Sequence, residues 1–457
     1  MDARGPFGER ETIAAIATPP GRGAVAIVRV SGASAADVAT RVFRGRGKLR
    51  DRVAAFGDVV SPDGGRIDSG LALFFAAPRS YTGEDILELQ VHGSPAVARD
   101  VLLATLAAGA RLAEPGEFTR RAFYAGKLDL SQAEAVADLI EAEHRGAARA
   151  AAARLSGGLA REVELQEAAL ATILEELAAA LDFPDEVEAP ARARLELEIA
   201  RADGVLAGLS QTWERGRLVR EGMGIAIVGP PNAGKSSLLN ALLGDERALV
   251  SAVAGTTRDT IEETLALGDG AVARIIDTAG LRLAGDELEA AGIARTERTL
   301  SEASVLLIVV DGSLPLGGAE RELLGRTRLR ARVVYFNKRD LGRAGFDERE
   351  GPERDALFGS VRDRACVDAV RAALAGHTNG EALDLARPHL GTARQADAVL
   401  EARRALAFAR QTLADGAPVD LVAGDLAAAR SALGRLTGRD ASEALLDGIF
   451  ARFCIGK

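Results

Sequence analysis

Residues 229–236 read Gly-Pro-Pro-Asn-Ala-Gly-Lys-Ser, a G-x-x-x-x-G-K-[ST] loop, and this octet restricts the chain more than any other segment. An apolar run at 225–228 precedes it and an amphipathic segment at 237–243 follows, so the loop joins a strand to a helix. Such a junction gathers backbone N–H groups, a helix N-terminus and the ammonium of Lys235 around a polyphosphate. The hydroxyl of Ser236 is placed for Mg2+. Strands alternate with helices from Gly222 to about Leu374, which predicts βαβ units and a mainly parallel sheet.

Three further motifs say which polyphosphate. Asp277-Thr278-Ala279-Gly280 ends the β-like run 273–276; its carboxylate can hold the Mg2+ shell and Gly280 lets backbone approach a γ-phosphate. Asn337-Lys338-Arg339-Asp340 ends the run 333–336. A carboxylate at Asp340 accepts from N1–H and the exocyclic amine of guanine, donors that adenine lacks, so a wrong base leaves it unpaired. Between the loop and the second motif lies Gly255-Thr256-Thr257-Arg258-Asp259, where Thr257 can give the metal a second hydroxyl. Together the four motifs predict a guanine-nucleotide switch domain. Leu281 stands where Ras-like proteins carry a water-orienting Gln, so hydrolysis needs a group from elsewhere. No arginine finger is evident, Arg258 and Arg282 being candidates among commonplace surface arginines, and the acidic segment 285–289 can supply a carboxylate to orient water.

Outside this block the texture differs. Residues 12–124 mix β-like runs (12–18, 24–30, 71–75 and 86–91) with short helical ones, which reads as an α+β or α/β domain. From 131 to 181 Ala, Leu, Glu and Arg dominate at helical spacing; 181–185 interrupts, and helix resumes near Ala193 and again beyond Gly391. Val399, Leu406 and Leu413 are seven apart and predict the buried side of a helix. Helical segments on both sides of an α/β block suggest one bundle interrupted by an inserted domain.

Composition removes several classes. Lys plus Arg total 57 against 66 Asp plus Glu, a formal charge of −9, which argues against a general polyanion-coating surface. Cys366 and Cys454 with four histidines assemble neither a disulfide framework nor a zinc site. The longest apolar stretches, such as 305–310, fall far short of the ~18 residues that span a bilayer. The N-terminus shows no signal-type core, and Asp2 stands where myristoylation demands glycine. A cytoplasmic protein without membrane attachment is expected.

With these residues in hand, the chain resembles the tRNA-modification GTPase MnmE (TrmE) family over nearly its full length. The resemblance rests on Ala17-Thr-Pro-Pro-Gly-Arg-Gly23, Tyr81-Thr-Gly-Glu-Asp85, Pro115-Gly-Glu-Phe118, Lys127-Leu-Asp-Leu130 with Gln132-Ala-Glu134, the four nucleotide motifs and the tail Phe453-Cys-Ile-Gly-Lys457. It implies three parts. An N-terminal α+β folate-binding and dimerisation domain spans 1–124. A discontinuous helical bundle spans 125–221 and 378–457. A Ras-like P-loop GTPase domain, 222–377, is inserted into the bundle. Members act as homodimers with an FAD-dependent MnmG-type flavoprotein, in a heterotetramer or larger complex. They install an aminomethyl-type (carboxymethylaminomethyl) group at C5 of the tRNA wobble uridine, taking one carbon from 5-formyl- or methylene-tetrahydrofolate.

The resemblance also implies a site list. GTP is expected at Asn232, Ala233, Gly234, Lys235, Ser236 and Ser237, at Ser251, Thr256 and Thr257, at Asp277, Thr278, Ala279 and Gly280, and at Asn337, Lys338, Asp340 and Ser360. K+ would take Asn232, Ser251, the Val253 carbonyl and Thr256, standing in for an arginine finger when two GTPase domains meet; Ser251 replaces the usual Thr and keeps its hydroxyl. Glu289 aligns with the water-orienting carboxylate. Folate is expected at Arg29, Glu88, Lys127 and Lys457, with the Cys454 thiol as a candidate participant. The base-supporting Ser-Ala-x motif occurs only as Ser360-Val361-Arg362. An alternative reading is a ribosome-assembly or other RNA-binding switch GTPase such as Era or Der, which shares the nucleotide motifs and predicts a KH-like module with a basic Gly-x-x-Gly loop. No such module is evident, and residues 394–457 carry nine basic and eight acidic residues.

Overall fold

In this computed structural model the described residues are 11–45, 47–142, 144–244, 263–268, 271–276, 303–342, 355–377 and 384–457. The chain divides into two compact units, one of residues 1–140, 152–210 and 392–457, the other of 141–151 and 211–391.

The first unit opens with a seven-stranded sheet: β1 (Ile13–Ile16), β2 (Val25–Ser31), β3 (Phe43–Gly45), β4 (Ala55–Val60), β5 (Arg66–Phe75), β6 (Ile86–His92) and β7 (Arg111–Leu112), in the order β3-β4-β5-β6-β2-β1-β7. Pairing is antiparallel except between β1 and β7. Strict alternation along β2 decides what each face carries. Ala26, Val28 and Val30 point into a core shared with α1 (Ala35–Val42) and α2 (Pro95–Ala107), which leaves Arg29 on the other face opposite its register partner Glu88. The β4–β5 hairpin was not legible as a continuous apolar run; its turn is the Ser-Pro-Asp-Gly-Gly stretch at 61–65, closed by Ser61 N–H to the Gly65 carbonyl at 2.8 Å.

Helices follow: α3 (Glu117–Tyr124), α4 (Leu130–Glu141), α5 (Arg145–Leu155), α6 (Gly158–Asp182) and α7 (Arg192–Glu221), of which residues 141–151 and 211–221 fall in the second unit. The break after α6 falls at Phe183-Pro184, where the proline disfavours helical backbone at the residue before it. Two long helices, α11 (Ala393–Ala414) and α12 (Val419–Thr437), and the short α13 (Glu443–Phe450) complete the unit. Val399, Leu406 and Leu413 are buried on one side of α11, as their spacing requires; each contributes roughly 1.5–3 kcal/mol of burial. Phe450 and Phe453 pack with Leu130 and Ala133, and that cluster anchors the C-terminal tail.

The second unit holds a six-stranded sheet in the order β13-β12-β11-β8-β10-β9. Its strands are β8 (Met223–Val228), β9 (Glu263–Gly268), β10 (Ala271–Ile276), β11 (Val305–Asp311), β12 (Arg332–Asn337) and β13 (Leu357–Phe358). All pairs are parallel except β9 with β10, so the central strands read as near-continuous apolar runs. The helices α8 (Lys235–Leu243), α9 (Gly318–Arg326) and α10 (Arg364–Gly376) belong to this unit. Among the described residues no helix is long and apolar enough to cross a membrane.

Candidate functional site: a phosphate loop and a guanine-type base edge

The wholly buried β8 ends at Val228, and α8 begins at Lys235. The turn between them passes through three residues of positive φ, Gly229 at +151°, Asn232 at +60° and Gly234 at +96°. Gly234 is required twice: its φ suits only glycine, and a Cβ there would lie 2.3 Å from Asn337 Nδ2. Lys235 folds back across the loop, donating to the carbonyls of Gly229 (2.9 Å) and Pro230 (2.8 Å). Half-burial holds its ammonium below the usual lysine range, and both of these carbonyl partners are neutral; an arriving polyanion reverses that penalty. Ser236 and Ser237 are exposed in the first turn of α8.

The base edge is built from the C-terminal ends of β11 and β12, where ligands of open α/β sheets bind. Asn337 is buried and bridges two loops. Its Nδ2 donates to the Ala233 carbonyl at 3.0 Å, and its Oδ1 accepts from Val361 N–H at 3.1 Å. One side chain thereby ties the phosphate loop to the Ser360-Val361-Arg362 turn. Ser360 is buried, and its Oγ accepts from Arg362 N–H at 3.2 Å. Asp340 is exposed, with Arg362 Nη1 at 3.4 Å from its Oδ2.

A second cluster lies in the first unit. Arg29 Nε donates to Glu88 Oε1 at 2.9 Å, and its Nη1 donates to the Gly456 carbonyl at 3.5 Å. The guanidinium sits 5.9 Å from the Tyr81 ring and 5.7 Å from that of Phe118, within cation–π range. The tail reaches it through a bridge between Pro115 and Ile455. Gly456 is packed so close that a Cβ would meet the Ile16 carbonyl oxygen at 2.5 Å. Burial first, then the like charge of Arg29, holds the Lys457 ammonium below its ordinary range. Lys127 is exposed, its stem 3.5 Å from where a Gly83 Cβ would stand, and Cys454 is exposed at the foot of the tail.

Comparison with known proteins identifies the family. Residues 12–127 match the family described as the GTP-binding protein TrmE N-terminus, and residues 130–454 match the MnmE helical domain. A tRNA modification GTPase MnmE from Symbiobacterium thermophilum is 46% identical over 98% of this chain and 99% of its own length. This chain belongs to the MnmE (TrmE) family. Relatives of the same name from Laribacter hongkongensis and Moorella thermoacetica are 45% and 41% identical, each over 98% of this chain and 99% of their own.

Of the residues singled out from the MnmE motifs, the structure gathers Asn232, Ala233, Gly234, Lys235, Asn337, Ser360 and their neighbours at the C-terminal ends of one sheet's strands, and Arg29, Glu88 and Lys457 on one face of the other sheet. Ser251, Val253, Thr256, Thr257, the run Asp277-Thr278-Ala279-Gly280 and Glu289 lie outside the described residues. Sequence reasoning missed Tyr81 and Phe118 as the rings beside Arg29. It also missed Asp311, which accepts from Lys338 Nζ at 2.8 Å. Asp311 had a signal: an acidic residue closing the apolar run 305–310.

Proposed function

We propose that this chain binds and hydrolyses GTP as part of tRNA modification, and that the preformed phosphate loop carries this reading. Its left-handed Asn232 and Gly234, the partly desolvated Lys235 and the Asn337 bridge to 360–361 form a cradle with a cation inside and a base edge beside it. Lys235 neutralises phosphate oxygens, Asp340 accepts from guanine, and Glu289 orients the attacking water. Ser236 and Thr257 hold Mg2+, while Asn232, Ser251, Val253 and Thr256 hold K+; both ions supply positive charge against the phosphates.

In the same reading the Arg29 cluster holds a tetrahydrofolate. Two cations, Arg29 and Lys457, crowd one half-buried spot, and like-charge crowding is relieved by an anion such as a glutamate tail; Lys127 stands nearby in the family pattern. Glu88 is a carboxylate able to accept from a pterin edge, and the exposed Cys454 thiol is the candidate participant in the tail. The chain then works as a cytoplasmic homodimer with an FAD-dependent flavoprotein, installing a carboxymethylaminomethyl group on the tRNA wobble uridine. Its parts in this role are 1–124, 125–221 with 378–457, and 222–377. GTP turnover measured in KCl and in NaCl, with mass spectrometry of tRNA from cells lacking the chain, tests the whole. Equal turnover in both salts removes the K+ site, and unchanged wobble nucleosides remove the tRNA role.

A further inference from the structure

Lys338 follows the end of β12 in a left-handed conformation, φ +62°, a strained state for a residue with a side chain that persists only where its surroundings over-determine it. The residues that hold it come from the next strand. Asp311 and Asn337 are register partners at the ends of β11 and β12. Gly312 N–H donates to the Asn337 carbonyl at 2.7 Å, fixing the backbone just before Lys338. The Lys338 ammonium then crosses to Asp311 Oδ2 at 2.8 Å. The other carboxylate oxygen, Oδ1, accepts from the N–H (3.0 Å) and Oγ (2.5 Å) of Ser313. Burial pushes the Asp311 carboxyl up, but the hydrogen bonds from Lys338 and Ser313 outweigh it and keep the group anionic. Both oxygens are thus committed, and the lysine ammonium is tied to the end of the neighbouring strand.

We propose that Asp311 is a positioning residue of the nucleotide site, fixing Lys338 so that its stem forms one wall of the purine slot before a guanine nucleotide arrives. The inference rests on the nucleotide-binding reading above. Preorganisation of this kind appears as affinity, because the ordering of a long, flexible side chain is not charged to the binding step.

The test is fluorescence titration of a labelled GDP into the full-length chain and into Asp311→Ala, Asp311→Asn, Lys338→Ala and the Asp311→Ala/Lys338→Ala double variant. Asp311→Ala should weaken binding about tenfold, and the isosteric Asp311→Asn, which keeps one acceptor oxygen but loses the charge, about threefold. On the Lys338→Ala background, removing Asp311 should cost less than about twofold, since residues acting through one another are non-additive. Preference for GDP over IDP should survive in Asp311→Ala, because Asp340 is untouched. Should Asp311→Ala fail to fold, Asp311→Asn carries the comparison. Tight wild-type binding with unaffected Asp311 variants, or an undiminished Asp311→Ala effect without Lys338, overturns this inference alone. A wild-type chain that binds no guanine nucleotide overturns the nucleotide reading and this inference with it.

Discussion

Gly234→Ala is the most informative single substitution, because the structure states both of its costs. The φ of +96° strains any residue with a Cβ, about 1–2 kcal/mol for a left-handed conformation. The new Cβ would stand 2.3 Å from Asn337 Nδ2, so the buried amide must leave the Ala233 carbonyl it now donates to at 3.0 Å. A buried donor left without its acceptor costs a further ~1–3 kcal/mol. The total, about 2–5 kcal/mol, must be met in the folded state or at nucleotide binding. If the loop keeps its shape, thermal unfolding of this unit shifts down by about 2–4 °C per kcal/mol for a domain of 150–250 residues. If the loop relaxes instead, the same free energy is withdrawn from GDP affinity, at one factor of ten per ~1.4 kcal/mol. Calorimetry and GDP titration on one preparation measure both parts. Gly64→Ala serves as the control, since Gly64 is also left-handed at φ +86° but a Cβ there meets nothing within 4 Å; it should lose only the strain. A Gly234→Ala chain with wild-type melting and wild-type GDP affinity refutes the reasoning, as does a Gly64→Ala variant that loses as much.

Asp340→Asn should lower GTP affinity and favour xanthosine triphosphate, whose C2 carbonyl accepts where guanine's amine donates; competition binding that keeps the guanine preference reassigns the base edge. Lys235 has its pKa depressed by burial, and phosphates bind its protonated form, so binding takes up a proton. GDP affinity should therefore hold near neutrality and fall as pH rises, starting below the ordinary lysine range; a flat profile to high pH contradicts the desolvation. Glu117, 2% exposed, accepts from Arg111 (2.7 and 2.8 Å), Arg121 (2.8 Å) and Glu114 N–H (2.9 Å). Removing it as Glu117→Ala leaves the buried Arg121 under-compensated and should cost about 3–5 kcal/mol by urea denaturation. Burial raises the Glu117 carboxyl, but those hydrogen bonds outweigh it and depress it below the usual glutamate value. The stability it gives is thus present above the unfolded-state pKa and lost as pH falls through the folded one. The gap between wild type and Glu117→Gln should narrow in acid, and a gap independent of pH sinks that account.

The nucleotide half was legible because phosphate recognition is local. The loop at 229–236 needs a strand before it, a helix after it and glycine where φ turns positive, and all three are written within twenty residues. The same holds for the seven-residue spacing of Val399, Leu406 and Leu413, since a helix face depends only on its own period. The β4–β5 hairpin was less legible, because Arg66-Ile-Asp-Ser-Gly70 breaks the apolar run and its pairing is set by the partner strand. Tyr81 and Phe118 gave no signal as neighbours of Arg29, being distant in sequence and ordinary in type.

What the sequence determined alone is thus the kind of cradle, the base edge beside it and the membership of a family, through short-range backbone demands and side-chain chemistry. Which distant groups meet was decided only by tertiary structure. Pairing of parallel strands set Asp311 beside Asn337 and so within reach of Lys338; burial of Phe450 and Phe453 accompanies the return of Gly456 and Lys457 to Arg29. Register and core packing are properties of two segments at once, so neither segment's sequence contains them.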